Sequence, residues 1–321
     1  MGSNATHPEV ARALALGLWH SRGVPSLAHQ VLARAVPRIR GSRDLDTAEL
    51  ERARLETWHG GLDRSLPTGR MPGFDRRYEV TLADTPFPTH VIRPRGRRPR
   101  TTVYYLHGGG YVAPTDAAHV RYALRLARLL DAEVVIPDYP LAPEHTWRDS
   151  HRAIVEDLAR RTAAQDRVVV AGDSAGGGIA LAVTQSLRDR RAHLPSHLVL
   201  LSPWVDLTTS TPETYELDAI DPWLFIGKLD LYADWWAGGA ADLGRPEVSP
   251  ALGDLDGLPP TLMFCGTLDR RGPGGRLLAD RAAASDWSLT YLEAADLIHV
   301  FPLLPVPEAK RAWRHTEAFL A

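Results

Sequence analysis

The chain has 321 residues, 44% of them hydrophobic, and a formal net charge of −2 at pH 7. That length and composition allow one large α/β core or two smaller ones, and so balanced a charge excludes an electrostatic draw toward nucleic acid or a membrane surface. The single cysteine, Cys265, excludes an internal disulfide, and the basic residues are arginine except for Lys228 and Lys310.

Residues 1–70 read differently from the rest. Pro8-Glu9 opens a segment with Val10, Ala13, Leu14, Leu16 and Leu18 at helical spacing. Arg12 interrupts its apolar stretch, so no secretory pattern forms, and no run approaches the roughly 18 apolar residues of a membrane span. The expectation is a cytoplasmic protein without stable membrane insertion. Pro25 opens a second helix through Leu27, Val31, Leu32 and Val36, closed by Pro37. Asp46-Thr47-Ala48-Glu49 has the form of a capping signal for a third, with Leu50, Leu55 and Trp58.

Strands follow. Residues 78–82 alternate, and 89–92 are expected to pair with them as a hairpin. The arginine-rich run 93–100 lacks interleaved aromatics and reads as a solvated turn, not a nucleic-acid site. From 101 onward, strand and helix alternate. Strands are expected at 102–106, 133–137, 167–171, 197–201, 260–265 and 288–292. Helices are expected at 117–130, 147–162, 177–190, 276–284 and 307–320. Such alternation implies a mostly parallel central sheet flanked by helices, with ligands held beyond the carboxyl ends of the strands. The alternation breaks over 204–250, which carries Trp204, Trp223, Phe225, Tyr232, Trp235 and Trp236 and a helix start at Asp221-Pro222. That stretch reads as an insertion near the site, forming a lid or a pocket wall.

The chemistry centres on Gly172-Asp173-Ser174-Ala175-Gly176, which sits between an apolar strand and a helix. In that context a G-x-S-x-G pattern lifts a serine nucleophile clear of the sheet. A serine hydroxyl needs a base, an acid to orient the base, and donors for the oxyanion. His299, after a late strand, is the candidate base. Asp269, directly after the 260–265 strand, falls between serine and histidine and is the candidate acid. Asp296 is its rival but shares the loop of His299. His107-Gly108-Gly109-Gly110, right after the 102–106 strand, and the N–H of Ala175 are the candidate oxyanion donors. His107 reads as structuring that loop, and Asp173 as bracing the turn. Cys265 reads as a buried strand residue. No metal or organic cofactor is needed for this chemistry.

These residues resemble the bacterial hormone-sensitive-lipase group of α/β-hydrolase serine esterases. The resemblance covers about residues 75–321. It rests on His107-Gly108-Gly109-Gly110-Tyr111, Asp138-Tyr139-Pro140-Leu141-Ala142-Pro143-Glu144-His145, Gly172 to Gly176, Ser202-Pro203-Trp204-Val205-Asp206-Leu207, Val248-Ser249-Pro250, Gly257-Leu258-Pro259-Pro260 and Ile298-His299-Val300-Phe301. It implies an α/β-hydrolase domain over 71–321 and a helical N-terminal cap over 1–70. It implies a serine carboxylesterase acting on short- to medium-chain acyl esters, with Ser174, Asp269 and His299 as the triad. Gly109, Gly110 and Ala175 become the oxyanion hole, and Glu144 a bracing residue near the site. It also implies a monomer or homodimer whose partner is a small-molecule ester. Two other readings share the same residues: an amidase, lactonase or biosynthetic acyl-transfer enzyme, and a non-catalytic ligand-binding protein on the same fold.

This chain departs from the group at three points. Pro140 stands where arginine is usual, and Val300 where glycine is common. Asp269 is followed by Arg270-Arg271-Gly272-Pro273-Gly274-Gly275, where many members have an apolar residue and then an acidic one. So polar and glycine-rich a run is expected to be mobile or solvated.

Overall fold

The computed structural model describes residues 24–40, 47–69 and 71–321. The helix expected near Pro8 lies outside the described residues. In chain order the elements begin with helices α1 (Leu27–Arg40), α2 (Ala48–Gly60) and α3 (Phe74–Arg77). Strands β1 (Tyr78–Leu82), β2 (Thr89–Pro94) and β3 (Thr101–Leu106) follow, then α4 (Ala117–Leu130), β4 (Glu133–Pro137), α5 (His151–Ala164) and β5 (Arg167–Asp173). Next come α6 (Ser174–Asp189), β6 (His197–Leu201), α7 (Glu213–Glu216) and α8 (Ile226–Ala237). The chain closes with β7 (Thr261–Gly266), α9 (Gly272–Ala282), β8 (Leu289–Ala294) and α10 (Pro307–Leu320).

The eight strands form one sheet in the order β1-β2-β4-β3-β5-β6-β7-β8. β2 runs antiparallel to both β1 and β4, and every pairing from β4 through β8 is parallel. β1 and β2 form the expected hairpin, with Leu82 opposite His90. Successive side chains of a strand leave on opposite faces. Tyr104, Leu106, Val168 and Val170 accordingly join one core cluster, while Val103, Tyr105, Val169 and Ala171 join the other. Both faces are covered, which is why β3 to β7 read as continuous apolar runs.

Several boundaries move. Pro37 sits inside α1 instead of ending it. Proline lacks an N–H, so the helix forgoes one i→i−4 hydrogen bond at that position. The helix expected over 147–162 splits into a 3-10 turn at Trp147–Asp149 and α5, because Asp149 turns back to accept the N–H of Thr146. Asp221-Pro222 does not start a helix. Asp221 accepts the N–H groups of Trp223 and Leu224 in a turn, and α8 begins only at Ile226, whose N–H goes to Asp218. α9 starts four residues before its expected position, at Gly272. The glycines there weaken the helical signal, but Pro273 within the first turn has the fixed φ a helix start favours.

The N-terminal helices are tied into the rest of the chain. Thr47 caps α2 by accepting the N–H of Leu50. Leu55 of α2 is fully buried in the main core, a burial that contributes about 2 kcal/mol. His59 bridges Glu144 and the carbonyl of Val112, at 2.8 Å each. Arg64 reaches Asp138 Oδ2 at 2.6 Å and the carbonyls of Asp138 and Tyr139. Arg64 thus ties the chain before β1 to the segment just ahead of Pro140.

Candidate active site

Ser174 is the first residue of α6 and follows β5 directly. Its φ is +49°, a left-handed conformation unusual for a side-chain-bearing residue. The flanking glycines are required by space. A Cβ on Gly172 would lie 2.5 Å from the carbonyl oxygen of Gly176, and one on Gly176 would lie 2.1 Å from that of Leu106. The turn is therefore pressed against β3, and Ser174 is held at the N-terminus of α6, where the helix dipole favours negative charge.

The structure brings the three candidates together from positions 30 to 125 residues apart. His299 Nε2 lies 2.9 Å from Ser174 Oγ, and His299 Nδ1 lies 3.0 Å from each oxygen of Asp269. With the Nδ1 proton directed at Asp269, Nε2 accepts the hydroxyl proton of Ser174. Asp269 is fully buried. Burial pushes its carboxyl up, but the His299 charge and hydrogen bond and the N–H of Arg271 outweigh that and hold it below the usual aspartate value. Asp296 is exposed and does not reach His299; its own N–H goes to Thr267 Oγ1.

His299 is supported from two sides. Val300 donates its N–H to Ser202 Oγ at 3.0 Å and adopts φ +46°. That is a strained conformation for a β-branched residue, at the position where glycine is common in the resembling sequences. On the other side Ile298 donates its N–H to Nε2 of His29 in α1 at 3.2 Å. No signal in the sequence connects His29 to this loop. The Trp223 ring meets the imidazole edge-on, with centroids 5.6 Å apart.

Gly109 and Gly110 face the same cavity as Ser174 and His299. Gly109 has φ +117°, and a Cβ there would lie 2.8 Å from Ala113. His107 anchors this loop. Its Nδ1 meets the carbonyl of Gly108 at 2.8 Å, and its ring stacks on Tyr139 with centroids 4.3 Å apart. Burial, and then the neighbouring His119, push its pKa down to about 4, so it stays neutral at pH 7. Asp173 Oδ1 accepts from Tyr105 Oη at 2.7 Å and from the N–H of Gly108 at 3.0 Å, while Oδ2 lies 3.3 Å from His119 Nε2. Asp173 thus ties the serine turn to the glycine loop. Ala175 is fully buried behind Ser174, in the first turn of α6.

The cavity has a volume of about 430 Å³, within the range of small-molecule sites. α2 contributes Arg54, Leu55 and Trp58 to its wall, and the 204–250 stretch contributes Trp204, Trp223, Phe225 and Tyr232. That stretch also supplies core, since Trp236 stacks on Tyr111 with centroids 4.5 Å apart.

The loop after Asp269 is buried, not solvated as expected. Arg270 is 1% exposed and Arg271 5%. Arg270 pairs with Asp218, donates to the carbonyl of Thr214 at 2.7 Å, and gives its backbone N–H to Asp221. Arg271 lies over the Trp204 ring, 4.7 Å from its centre. Two arginines, polar in the sequence, act here as buried anchors because their partners come from 204–221. Burial, with the Asp269 charge adding to it, raises the Asp221 carboxyl to about 6.

Among the described residues, no helix is long and apolar enough to cross a membrane. A model of the alpha/beta hydrolase fold matches residues 103–303. An acetyl-hydrolase of Streptomyces hygroscopicus is 33% identical over 240 residues, covering 71% of this chain and 78% of that protein. An esterase of Acinetobacter venetianus is 29% identical over 216 residues, covering 65% and 71%. The crystal structure of a hormone-sensitive lipase from a metagenome library superposes with a TM-score of 0.74 at 26% identity, covering 92% of this chain and 98% of that one. The chain belongs to the α/β-hydrolase fold family, among its esterase- and lipase-type enzymes.

Proposed function

We propose that the protein is a serine carboxylesterase that hydrolyses short- to medium-chain acyl esters through an acyl-enzyme on Ser174. The observation that carries this reading is the continuous line from Ser174 Oγ to His299 to Asp269, opening on a cavity of about 430 Å³. As Ser174 Oγ attacks the ester carbonyl, His299 Nε2 takes its proton and Asp269 stabilises the imidazolium. The oxyanion accepts N–H groups of Gly109, Gly110 and Ala175 at the N-terminus of α6. His299 then passes the proton to the leaving alcohol, and a water activated by the same imidazole releases the acyl group.

Residues 1–70 act in this reading as a cap on the catalytic domain of 71–321. Its support is that Arg54, Leu55 and Trp58 of α2 line the cavity wall, and that Glu144 is held by His59 of the same helix. The largely apolar wall, with Leu55, Trp223, Phe225 and Leu304, offers the methylenes of an acyl chain a surface to pack on.

Ser174→Ala is expected to keep the fold and to lower kcat/KM for p-nitrophenyl butyrate by about 10⁴-fold or more. An organophosphonate is expected to add to Ser174 of the wild type, read by mass spectrometry of the peptide. Full activity in the variant, or an adduct elsewhere, would overturn the assignment. An amide, lactone and ester panel on the wild type separates a carboxylesterase from an amidase or lactonase.

A further inference from the structure

Arg271 carries chemistry that this mechanism does not use. Its side chain is almost wholly buried, yet it lines the same cavity as Ser174 and His299. Its Nε has no hydrogen-bond acceptor among the described residues, and the guanidinium forms no ion pair with a carboxylate there. Its guanidinium lies over the face of Trp204. A guanidinium offers five N–H donors and no acceptor, and a buried charged donor left unmet is costly.

The two carboxylates whose charge acts on it are engaged by other donors. Asp269 directs its oxygens to His299 and to the backbone N–H of Arg271. Asp221 directs its own to the N–H groups of Trp223, Leu224 and Arg270. Burial lowers the Arg271 pKa to about 10, with the Asp269 charge opposing this, so the group remains a cation at neutral pH. Its backbone is held by Arg270, which anchors the loop to Asp218 and Thr214. The donor is thus rigid, charged and facing the substrate space.

We propose that Arg271 determines substrate specificity: the cavity takes esters that carry a carboxylate, which the Arg271 guanidinium receives through its N–H donors beside the Trp204 ring. A carboxylate matches the fork of a guanidinium with two parallel hydrogen bonds. Because the loop is already ordered, little further ordering opposes binding. This proposal rests on the esterase reading of the same site.

The test uses pairs of near-isosteric substrates on the full chain. Monoethyl adipate against ethyl heptanoate places the carboxylate on the acyl part. Acetoxyacetate against isobutyl acetate places it on the alcohol part. The wild type is expected to prefer the anionic member of at least one pair. Arg271→Leu is expected to cut that anionic-to-neutral kcat/KM ratio by about tenfold or more, with Arg271→Lys retaining part of it. The ratio is taken within each variant, so loss of folded protein cancels. Preference for the neutral member in both pairs, or a ratio unchanged in Arg271→Leu, overturns the proposal. Calorimetry of monoethyl adipate and of acetoxyacetate on Ser174→Ala, with and without Arg271→Leu, reads binding without turnover. Equal affinity of the two proteins for both ligands overturns the proposal as well. Ser174-dependent hydrolysis of p-nitrophenyl butyrate with no anionic preference sinks the carboxylate proposal alone; absence of any hydrolysis sinks the esterase reading, and the calorimetry then still decides the role of Arg271.

Discussion

The phenol of Tyr232 donates its hydrogen bond to the buried carboxylate of Glu51, joining α8 to α2 at the wall of the cavity that holds Ser174. Glu51 also receives Nε and Nη2 of Arg54 at 2.7 Å each, and Lys228 Nζ lies 3.9 Å away. The edge of the same tyrosine ring packs on the glycine loop: a Cβ on Gly110 would lie 3.2 Å from Tyr232 Cδ2. Two helices and the proposed oxyanion loop therefore meet at one side chain.

Removing that phenol hydroxyl tests the connection. Tyr232→Phe leaves the ring in place and takes one hydrogen bond from a buried charged acceptor, at a cost of about 1.5–3 kcal/mol. The denaturation midpoint is expected to fall with an unchanged m-value, and KM for p-nitrophenyl butyrate to rise. An unaltered midpoint would show that the contact does not hold α2 in place.

The identity of the acid is separable by two substitutions. Asp269→Asn is expected to lower kcat by about 10⁴-fold, because the imidazole loses the partner that fixes its tautomer. Asp296→Asn, at an exposed position whose left-handed φ of +57° asparagine tolerates, is expected to leave kcat within about twofold. Reversal of the two effects would move the acid to Asp296.

The serine turn depends on close backbone approach. Gly176→Ala places a methyl 2.1 Å from the Leu106 carbonyl, between β3 and α6. Neither backbone can yield without opening the sheet, so a loss of about 3 kcal/mol or more is expected. Gly244→Ala, with no atom within 4 Å of the added Cβ, serves as the contrast and is expected to change stability by less than about 1 kcal/mol. Equal midpoints for the two variants would contradict this account.

Stability is expected to fall as pH drops from about 6.5 toward 4. Burial holds His107 and His151 near a pKa of about 4, below the ordinary value of 6.5. In that window the unfolded chain takes up protons that the folded chain does not, so acid favours unfolding, by on the order of 1.4 kcal/mol per pH unit for each group. The His107 and His151 contributions are fully present above 6.5 and lost as pH falls through the folded value. His151→Gln, which keeps a donor for Ser186, removes one of the two. Its plot of midpoint against pH is expected to be shallower than the wild type's between pH 6.5 and 4. Parallel plots would show that His151 does not titrate on unfolding.

Much of the site was legible because it is local. The strand, the glycine pair and the serine lie within ten residues, and the glycines report a close approach that the structure then displays at Gly172 and Gly176. The glycine loop after β3 is legible for the same reason. Asp269 and His299 were legible from their order and from their places after β7 and β8. Boundaries were less so where a side chain from elsewhere decides them, as with Asp218 receiving the N–H of Ile226 at the start of α8. The loop after Asp269 was misread because its arginines find Asp218, Thr214 and Trp204, all fifty or more residues earlier.

The sequence by itself determined the alternating α/β order and the parallel sheet, which follow from apolar periodicity, and short-range turn chemistry marked Ser174, while chain order alone pointed to Asp269 and His299 as candidates. Only the tertiary structure decided that His29 supports the histidine loop, that Arg64 braces the segment around Pro140, and that Arg271 is buried with its Nε–H unmet beside Trp204. Those outcomes depend on which distant partner a polar side chain meets. Charge and hydropathy along a chain do not carry that information, whereas burial and hydrogen-bond geometry do.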